Sequence, residues 1–370
     1  MDILFINDKF LILESFILAF LITYISIPPI VEVARAKHLY DEPNGRTSHF
    51  EVTPTLGGLG IFMGFIISSM IFVKIAEISY VQYIIAGMII LFFVGLKDDI
   101  IGLGPLKKFV GQILAAVIVI DLGGIKLSGL YGLAGVEGMG AYSSDLFSLF
   151  VFVAIINAVN LIDGIDGLAS GVSILASLTF GIWFYLVGQE QLAILVFALV
   201  GGLVAFFRFN VFGKKYKLFM GDLGSLLLGF MLSIFAIKFI ELNGNGNIPE
   251  KYYFASAPAV AIGILIIPIF DTIRVMTIRI YKGISPFKAD KRHVHHYLLE
   301  LTGSHKKTTG IILLVNLFFI TLSFYFGNIG VFNLGLILFF LASFLSFIPY
   351  YLLKKRRSKN KKTLFQADTD

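Results

Sequence analysis

Residues 146–187 read LFSLFVFVAIINAVNLIDGIDGLASGVSILASLTFGIWFYLV, two apolar runs joined by a polar knot, Asn157-Ala-Val-Asn160-Leu-Ile-Asp163-Gly-Ile-Asp166-Gly167. A helix needs about 20 mostly apolar residues to cross a hydrocarbon layer ~30 Å thick. Both runs approach that length. The knot belongs where water is near, because a carboxylate at mid-membrane depth costs roughly 2.5–3.5 kcal/mol even on the lenient scales. The stretch therefore reads as helix, polar turn at a membrane face, helix.

The same reading carried outward finds eleven spans, at 10–30, 56–73, 81–96, 109–120, 146–162, 168–187, 192–207, 223–240, 255–273, 309–326 and 331–353. The fourth is short. The ninth contains Pro258 and Pro268, so a broken helix is expected there. The first run follows Asp2, Asp8 and Lys9 rather than a basic segment, with no small-residue cleavage site after it. It reads as a span and not as a signal peptide. The expected fold is an all-α polytopic membrane protein of about eleven transmembrane helices. Residues 1–353 form one integral-membrane domain and 354–370 a basic tail.

Composition agrees. The 370 residues have a mean hydropathy of +0.87 and are 57% hydrophobic but only 15% charged, against about a quarter in soluble domains. The absence of cysteine excludes disulfides, thiolate catalysis, zinc–thiolate sites and iron–sulfur clusters. The net charge of +6 is explained by topology without a nucleic-acid partner. With eleven spans, 25 of the 30 Lys and Arg residues fall on one side. That side is cytoplasmic by the positive-inside rule, so the N-terminus lies outside and the C-terminus in the cytosol. The external turn Asn243-Gly-Asn-Gly-Asn247 carries no recognisable chemistry. The tail 354–362 is basic and suits a topology anchor on anionic lipid.

The informative acids sit at the cytoplasmic ends of the spans. Asp98-Asp99 follow the third, with Lys108 further on. Adjacent carboxylates repel and need a metal, a proton or a cation, and on a helix at most one of the two faces a given ligand. In the knot, Asn157, Asn160 and Asp163 recur at i, i+3 and form a polar stripe on a helix. Asp166 then precedes the sixth span, where free backbone N–H groups suit anions or a cap. Met220-Gly-Asp222-Leu-Gly-Ser225 opens the eighth span. Asp222 is either an N-cap or a hard-cation ligand. The loop Ser285-Pro-Phe-Lys-Ala-Asp290-Lys291-Arg292-His293-Val-His295-His296 crowds three imidazoles beside cations. A zinc site is one reading, and a clamp for a diphosphate suits the chemistry better. In an extended loop His293 and His295 point together, whereas in a helix His293 pairs with His296. Asp271 and Arg274 make an i, i+3 ion pair. The first cytoplasmic loop, Asp41 to His49 with Arg46, is a substrate-loop candidate, and Gly57-Gly58 allow close helix packing.

Together these motifs resemble the polyprenyl-phosphate N-acetylhexosamine-1-phosphate transferases, the WecA/TagO and MraY superfamily in glycosyltransferase family 4. The resemblance covers most of the chain, from Asp41 to His296, and the last loop is similar to the WecA/TagO branch. It implies that Asp98 and Asp99 lie beside a lipid phosphate, that Asn160 and Asp222 hold Mg²⁺ (with Mn²⁺ as the substitute), and that Asp163 is a catalytic or orienting acid. Asp166 matches a uracil contact. Lys108, His293 and His295 match groups around the diphosphate, with Asn157 and His296 as further substrate-binding candidates. Thr55 departs from the pattern, in which Arg is common before Leu-Gly-Gly. The implied reaction moves N-acetylglucosamine-1-phosphate, or a close hexosamine phosphate, from a UDP-sugar to undecaprenyl phosphate at the bacterial inner membrane. UMP leaves, and lipid-linked polysaccharide synthesis begins. The alternatives are a phospho-MurNAc-pentapeptide transferase and, from another class, a transporter, which needs ionisable groups deep in its helices. A homodimer is the assembly to test for.

Overall fold

The computed structural model describes residues 8–41, 53–129, 131, 138–244, 246, 248–285 and 292–367. Most of the substrate-loop candidate, the segment 286–291 with Asp290 and Lys291, and both Asn245 and Asn247 lie outside the described residues. Among the described residues the chain forms thirteen α-helices. They are α1 (Asp8–Ala36), α2 (Gly57–Phe72), α3 (Val81–Ile101), α4 (Pro105–Val117), α5 (Ala141–Leu161), α6 (Leu168–Leu186), α7 (Glu190–Phe212), α8 (Gly221–Gly244), α9 (Ala257–Ile264), α10 (Ile266–Tyr281), α11 (Val294–Thr302), α12 (His305–Tyr325) and α13 (Val331–Ala367). Short strands β1 (Tyr40–Asp41) and β2 (Thr53–Pro54) pair antiparallel.

Every segment expected to span falls on a helix. Among the described residues, seven helices are long and apolar enough to cross a membrane, and the bent pair α9–α10 makes an eighth. The short fourth segment is a 13-residue α4 continued by a π-turn, Ile118–Leu122. The protein is thus a multi-pass membrane protein.

Helix α8 is apolar on all sides and forms the hub, with 94% of its spanning window buried against 28% for α1 and 22% for α13. An all-round apolar helix belongs in the interior of a bundle. Small residues set the close approaches. A Cβ on Gly58 would collide with the Gly224 backbone, and one on Gly95 with Leu223. Those contacts bring the ends of α2 and α3 against the start of α8. The segment before α2 is tied to the same place, since Phe219 N–H donates to the Pro54 carbonyl (2.7 Å) and Gly57 N–H to the Phe219 carbonyl (2.9 Å).

The expected break is real and sharp. Helices α9 and α10 meet at 84°, with Leu265 at the junction. Pro268 explains the position, because it has no N–H to offer the Ile264 carbonyl four residues back. Pro258 sits in the first turn of α9, where proline is harmless. The segment beyond α10, read from sequence as a loop, contains the helix α11. The basic tail set apart at 354 begins inside α13, which runs unbroken to Ala367.

Candidate active site

The first wall of the site forms where α3 and α5 end and α4 and α8 begin. Asp98 and Asp99 diverge, as adjacent residues on a helix must. Asp98 turns to α4. Its Oδ1 accepts from the Leu103 N–H (2.6 Å), and its Oδ2 pairs with Lys108 Nζ at 2.6 Å. Asp99 turns to α8, where its two oxygens accept from the backbone N–H groups of Asp222 (2.8 Å) and Leu223 (3.1 Å). Those are donors that a helix start leaves without partners. Asp99 therefore caps α8, and Asp222 is released from that duty. Gly221 permits the approach, with φ +75° and a Cβ position only 2.5 Å from Asp99 Oδ2.

The Asp222 carboxylate receives Asn160 Nδ2 at 2.5 Å and Lys108 Nζ at 3.1 Å. Asn160 also donates to Ser225 Oγ (2.8 Å). Lys108 thus lies between two carboxylates. Asp163 stands on the turn after α5, and no hydrogen bond or ion pair reaches its carboxylate among the described residues. Burial pushes that carboxyl up to about 7, and the charges of Asp222 and Asp166 add to the effect. Beyond the apolar part of α3, burial raises Asp98 to about 6, with Asp222 adding and Lys108 opposing. Burial and Asp222 raise Asp99 to about 8, against the pull of its two N–H donors.

Asn157, one turn deeper, faces α4 instead. It exchanges hydrogen bonds with Gln112 (2.6 and 3.3 Å) and donates to the Val153 carbonyl (2.7 Å). Asp166 opens a neighbouring recess. Its Oδ2 pairs with Lys217 Nζ at 2.7 Å, its N–H donates to His305 Nδ1 (3.2 Å), and its carbonyl accepts from Thr309 (2.7 Å). Gly167, at φ +77°, donates its N–H to Asn210 Oδ1 (2.6 Å). The N–H groups expected to be free for an anion are therefore held by side chains of α7 and α12.

The second wall is built on the broken helix. Asp271 of α10 pairs with Arg274 (2.8 Å) through Oδ1, as the i, i+3 spacing predicts. Its Oδ2 takes His293 Nδ1 at 2.9 Å, and both oxygens accept from the Val294 N–H at the start of α11 (3.2 and 3.3 Å). Arg274 also donates to the Arg292 carbonyl (2.6 Å). His293 is the N-cap residue of α11, in an extended conformation, and His295 and His296 are helical. The outcome is a hybrid of the two geometries posed by the sequence. His293 and His295 stack in parallel, with ring centroids 5.4 Å apart, although the segment is helical from Val294. Both rings are buried. Burial, then His296, holds His295 well below its ordinary value, so it is a neutral hydrogen-bonding group and not the cation expected of a clamp. A Cβ on Gly164 would lie 2.8 Å from His295 Nε2. That contact sets the second wall directly against the Asp163 turn. At its far end α11 is clipped to α13. Arg357 pairs with Glu300 (2.6 Å), Arg356 donates to the Leu301 carbonyl (3.3 Å), and Tyr297 meets Tyr350.

Among the described residues, one cluster has ligand atoms close enough together for a metal ion, and the first wall offers separate oxygen donors. Ligand atoms of Asp271, His293 and His295 lie within 4.8 Å of one another, a nitrogen-rich set that suits zinc more than magnesium. There, however, Arg274 and Val294 already occupy the carboxylate. At the first wall, Asp98, Asp163 and Asp222 supply hard oxygen, and the Lys108 ammonium marks where positive charge is wanted. Asn160 offers oxygen to an ion beside Asp222 once its amide is turned over, a change hydrogen-bond geometry alone decides. That set fits Mg²⁺.

Sequence reasoning missed Ser225, Lys217, His305, Thr309 and Gln112 as partners, and saw in Asp271 only its bond to Arg274. Gln112, a polar residue inside an apolar span, and Ser225, within the motif around Asp222, carried a signal.

These features define a multi-pass membrane enzyme. Residues 81–240 match the model of glycosyl transferase family 4, and the chain belongs to that family. It is similar to proteins named undecaprenyl-phosphate alpha-N-acetylglucosaminyl 1-phosphate transferase. Identity to the Pasteurella multocida protein is 33%, over 78% of this chain and 79% of that one. Identity to the Haemophilus influenzae protein is 31%, over 77% and 79%, and to the Salmonella typhi protein 30%, over 78% and 76%. The resemblance read from the motifs is borne out.

Proposed function

We propose that this chain transfers N-acetylglucosamine-1-phosphate from UDP-N-acetylglucosamine to undecaprenyl phosphate and releases UMP. The names of its relatives support the two substrates. The observation that carries the chemistry is the convergence of Asp98, Lys108, Asn160, Asp163 and Asp222 at one end of the bundle, facing two buried histidines. The 25-of-30 bias of basic residues supports that end as cytoplasmic, with eleven crossings, the N-terminus outside and the enzyme in the bacterial inner membrane.

A lipid phosphate oxygen attacks the β-phosphorus of the nucleotide sugar. The bond from that phosphorus to the UMP oxygen breaks, and a lipid diphosphate sugar remains. Both reactants are anionic, so positive charge at the reacting phosphates is the main requirement. Asp222 and Asn160 would hold Mg²⁺, which would supply positive charge at the reacting phosphates. Lys108 adds an ammonium beside it. Asp98, whose carboxyl is raised by burial and by Asp222 and lies beside Lys108, takes the proton of the lipid phosphate. Asp99 has both oxygens on α8 and acts as a positioning residue for Asp222. Asp163 orients the incoming phosphate, Asp166 and Lys217 hold the nucleotide end, and His295 donates a hydrogen bond to the diphosphate beside His293, whose Nδ1 is held by Asp271.

A transporter reading meets no support. The acids of the site stand at helix ends, and Glu14 of α1 is exposed near its start. UMP release in detergent, measured with undecaprenyl phosphate and a panel of UDP-sugars with and without Mg²⁺, tests the proposal. Release with UDP-N-acetylglucosamine that needs both the lipid phosphate and the metal is expected. Release that ignores the lipid, or its absence with every sugar, overturns it.

A further inference from the structure

On the outer flank of the site end, where α7 stops at Phe212, α7 and α1 part around a cavity of about 340 Å³. Its floor is aromatic, with Tyr24 of α1 and Phe209 of α7 at a ring separation of 5.0 Å. Its rim is cationic, formed by Arg208, Lys214 and Lys215. All three are exposed, and none enters an ion pair among the described residues. Arg208 lies over the Phe212 ring at 5.9 Å, and Lys306 approaches that ring at 4.8 Å from the start of α12. The acid at this edge is Glu32, which accepts from the Tyr216 hydroxyl at 3.3 Å. On α1 at and before Tyr24's level, Ile17, Leu21 and Ile25 turn outward.

Basic residues at a membrane edge are ordinarily explained by topology. That rule needs a number of charges and nothing more. It does not require a cavity, an aromatic floor, or three cations around one opening that share a single nearby carboxylate, Glu32, and form no close ion pair with it among the described residues. The volume sits at the low end of small-ligand pockets, roughly 300–1,000 Å³, so it takes a headgroup and not a whole lipid. The apolar flank of α1 continues from it toward the membrane interior. We infer that this cavity binds the phosphodiester headgroup of an anionic membrane phospholipid, with the acyl chains laid along α1. The guanidinium and two ammonium groups supply charge-assisted hydrogen bonds to the phosphate, and basic pockets between helices at such a face attract anionic headgroups. A soluble phosphate would use the rim alone and leave the apolar floor and flank unexplained.

The test is native mass spectrometry of the delipidated full chain, titrated with phosphatidylglycerol and with phosphatidylcholine of the same acyl chains. The first phosphatidylglycerol should bind about 10–100-fold more tightly than phosphatidylcholine, the range expected of two or three cations near one anionic headgroup. The combined Arg208→Gln, Lys214→Gln and Lys215→Gln variant should bind both lipids alike, with UMP release in detergent and melting temperature unchanged. The single Lys215→Glu exchange, wholly on the surface, should lower phosphatidylglycerol binding in the same direction. A photoactivatable phosphatidylglycerol should label the peptides that carry Tyr24 or Phe212. Equal affinity of the unmodified chain for both lipids overturns the inference, as does a preference that survives the triple variant or labelling confined to the basic tail. Displacement by an equal concentration of glycerol-3-phosphate overturns the lipid as the occupant and leaves a free-phosphate site.

Discussion

Two helices of the site, α8 and α11, begin on a carboxylate borrowed from another helix. Asp99 of α3 takes the first N–H groups of α8, and Asp271 of α10 takes that of α11. Beyond the cap the two helices differ. At α8 the borrowed cap spares Asp222, whose carboxylate is left facing an ammonium and an amide. At α11 the capping carboxylate is also bound to Arg274 and His293, and nothing of it is left over. The first wall therefore keeps acidic capacity for an incoming cation, and the second uses its acid to fix the His293 imidazole, on which His295 stacks. One device yields a site ready to bind in one case and a rigid imidazole pair in the other.

The contrast breaks most easily at Asp222. Asp222→Asn should lower turnover by at least ~10³-fold, the upper range for one lost transition-state contact, while the fold persists because Asp99 still caps α8. UMP release across a Mg²⁺ titration measures it. Near-normal, metal-dependent turnover would mean that the first wall is no more open than the second. At the second wall, His293→Ala and His295→Ala should each cost about 10²-fold in turnover, and His296→Ala less. His293→Ala should also loosen α11, seen as faster amide exchange across Val294–Thr302. Equal small effects of all three would reduce the wall to a structural cap.

Asp163 sharpens the comparison through pH. Its carboxyl is raised to about 7 in the folded chain, against about 4 when unfolded. The folded state then binds the proton more tightly, so the charged form costs stability. That cost is absent below pH 4, grows as pH rises toward 7 and is constant above. Asp163→Asn removes it. The variant should melt higher than the parent by a margin that widens from pH 4 to 7, while turnover falls. A margin that narrows with rising pH would contradict the burial argument. The smallest effect belongs to Asn157. Its amide is matched to Gln112, so a double-mutant cycle of Asn157→Ala and Gln112→Ala should give a coupling of about 1 kcal/mol in stability, with turnover changed by less than the His variants. A loss as large as at Asp222 would return Asn157 to the substrate.

The helices were legible because apolar length is a local signal, and so was the break, since Pro268 acts on a carbonyl four residues away. The motifs at helix ends were legible for the same reason. What could not be read was partnership across the bundle. Asp99 and Asp222 are far apart in the chain, and only packing at Gly58, Gly95 and Gly221 reveals which acid caps and which stays open. Lys217 and His305 belong to no local pattern, and their meeting at Asp166 needs α7, α8 and α12 assembled. The histidine geometry failed as an either-or choice because a cap residue is extended while its successors are helical.

The clip between α11 and α13 has a practical consequence for handling this protein. Arg356 and Arg357 lie just beyond the long apolar stretch of α13 that ends at Leu353, where a truncation or a fused reporter would ordinarily be placed. Cutting after residue 353 would keep the apolar stretch of the last span, yet it would free the far end of the helix that carries His295. A fusion joined after Ala367 keeps the clip. A shortened chain that inserts well but turns over poorly then has a badly placed cloning boundary that loosens the second wall, with every site residue still present.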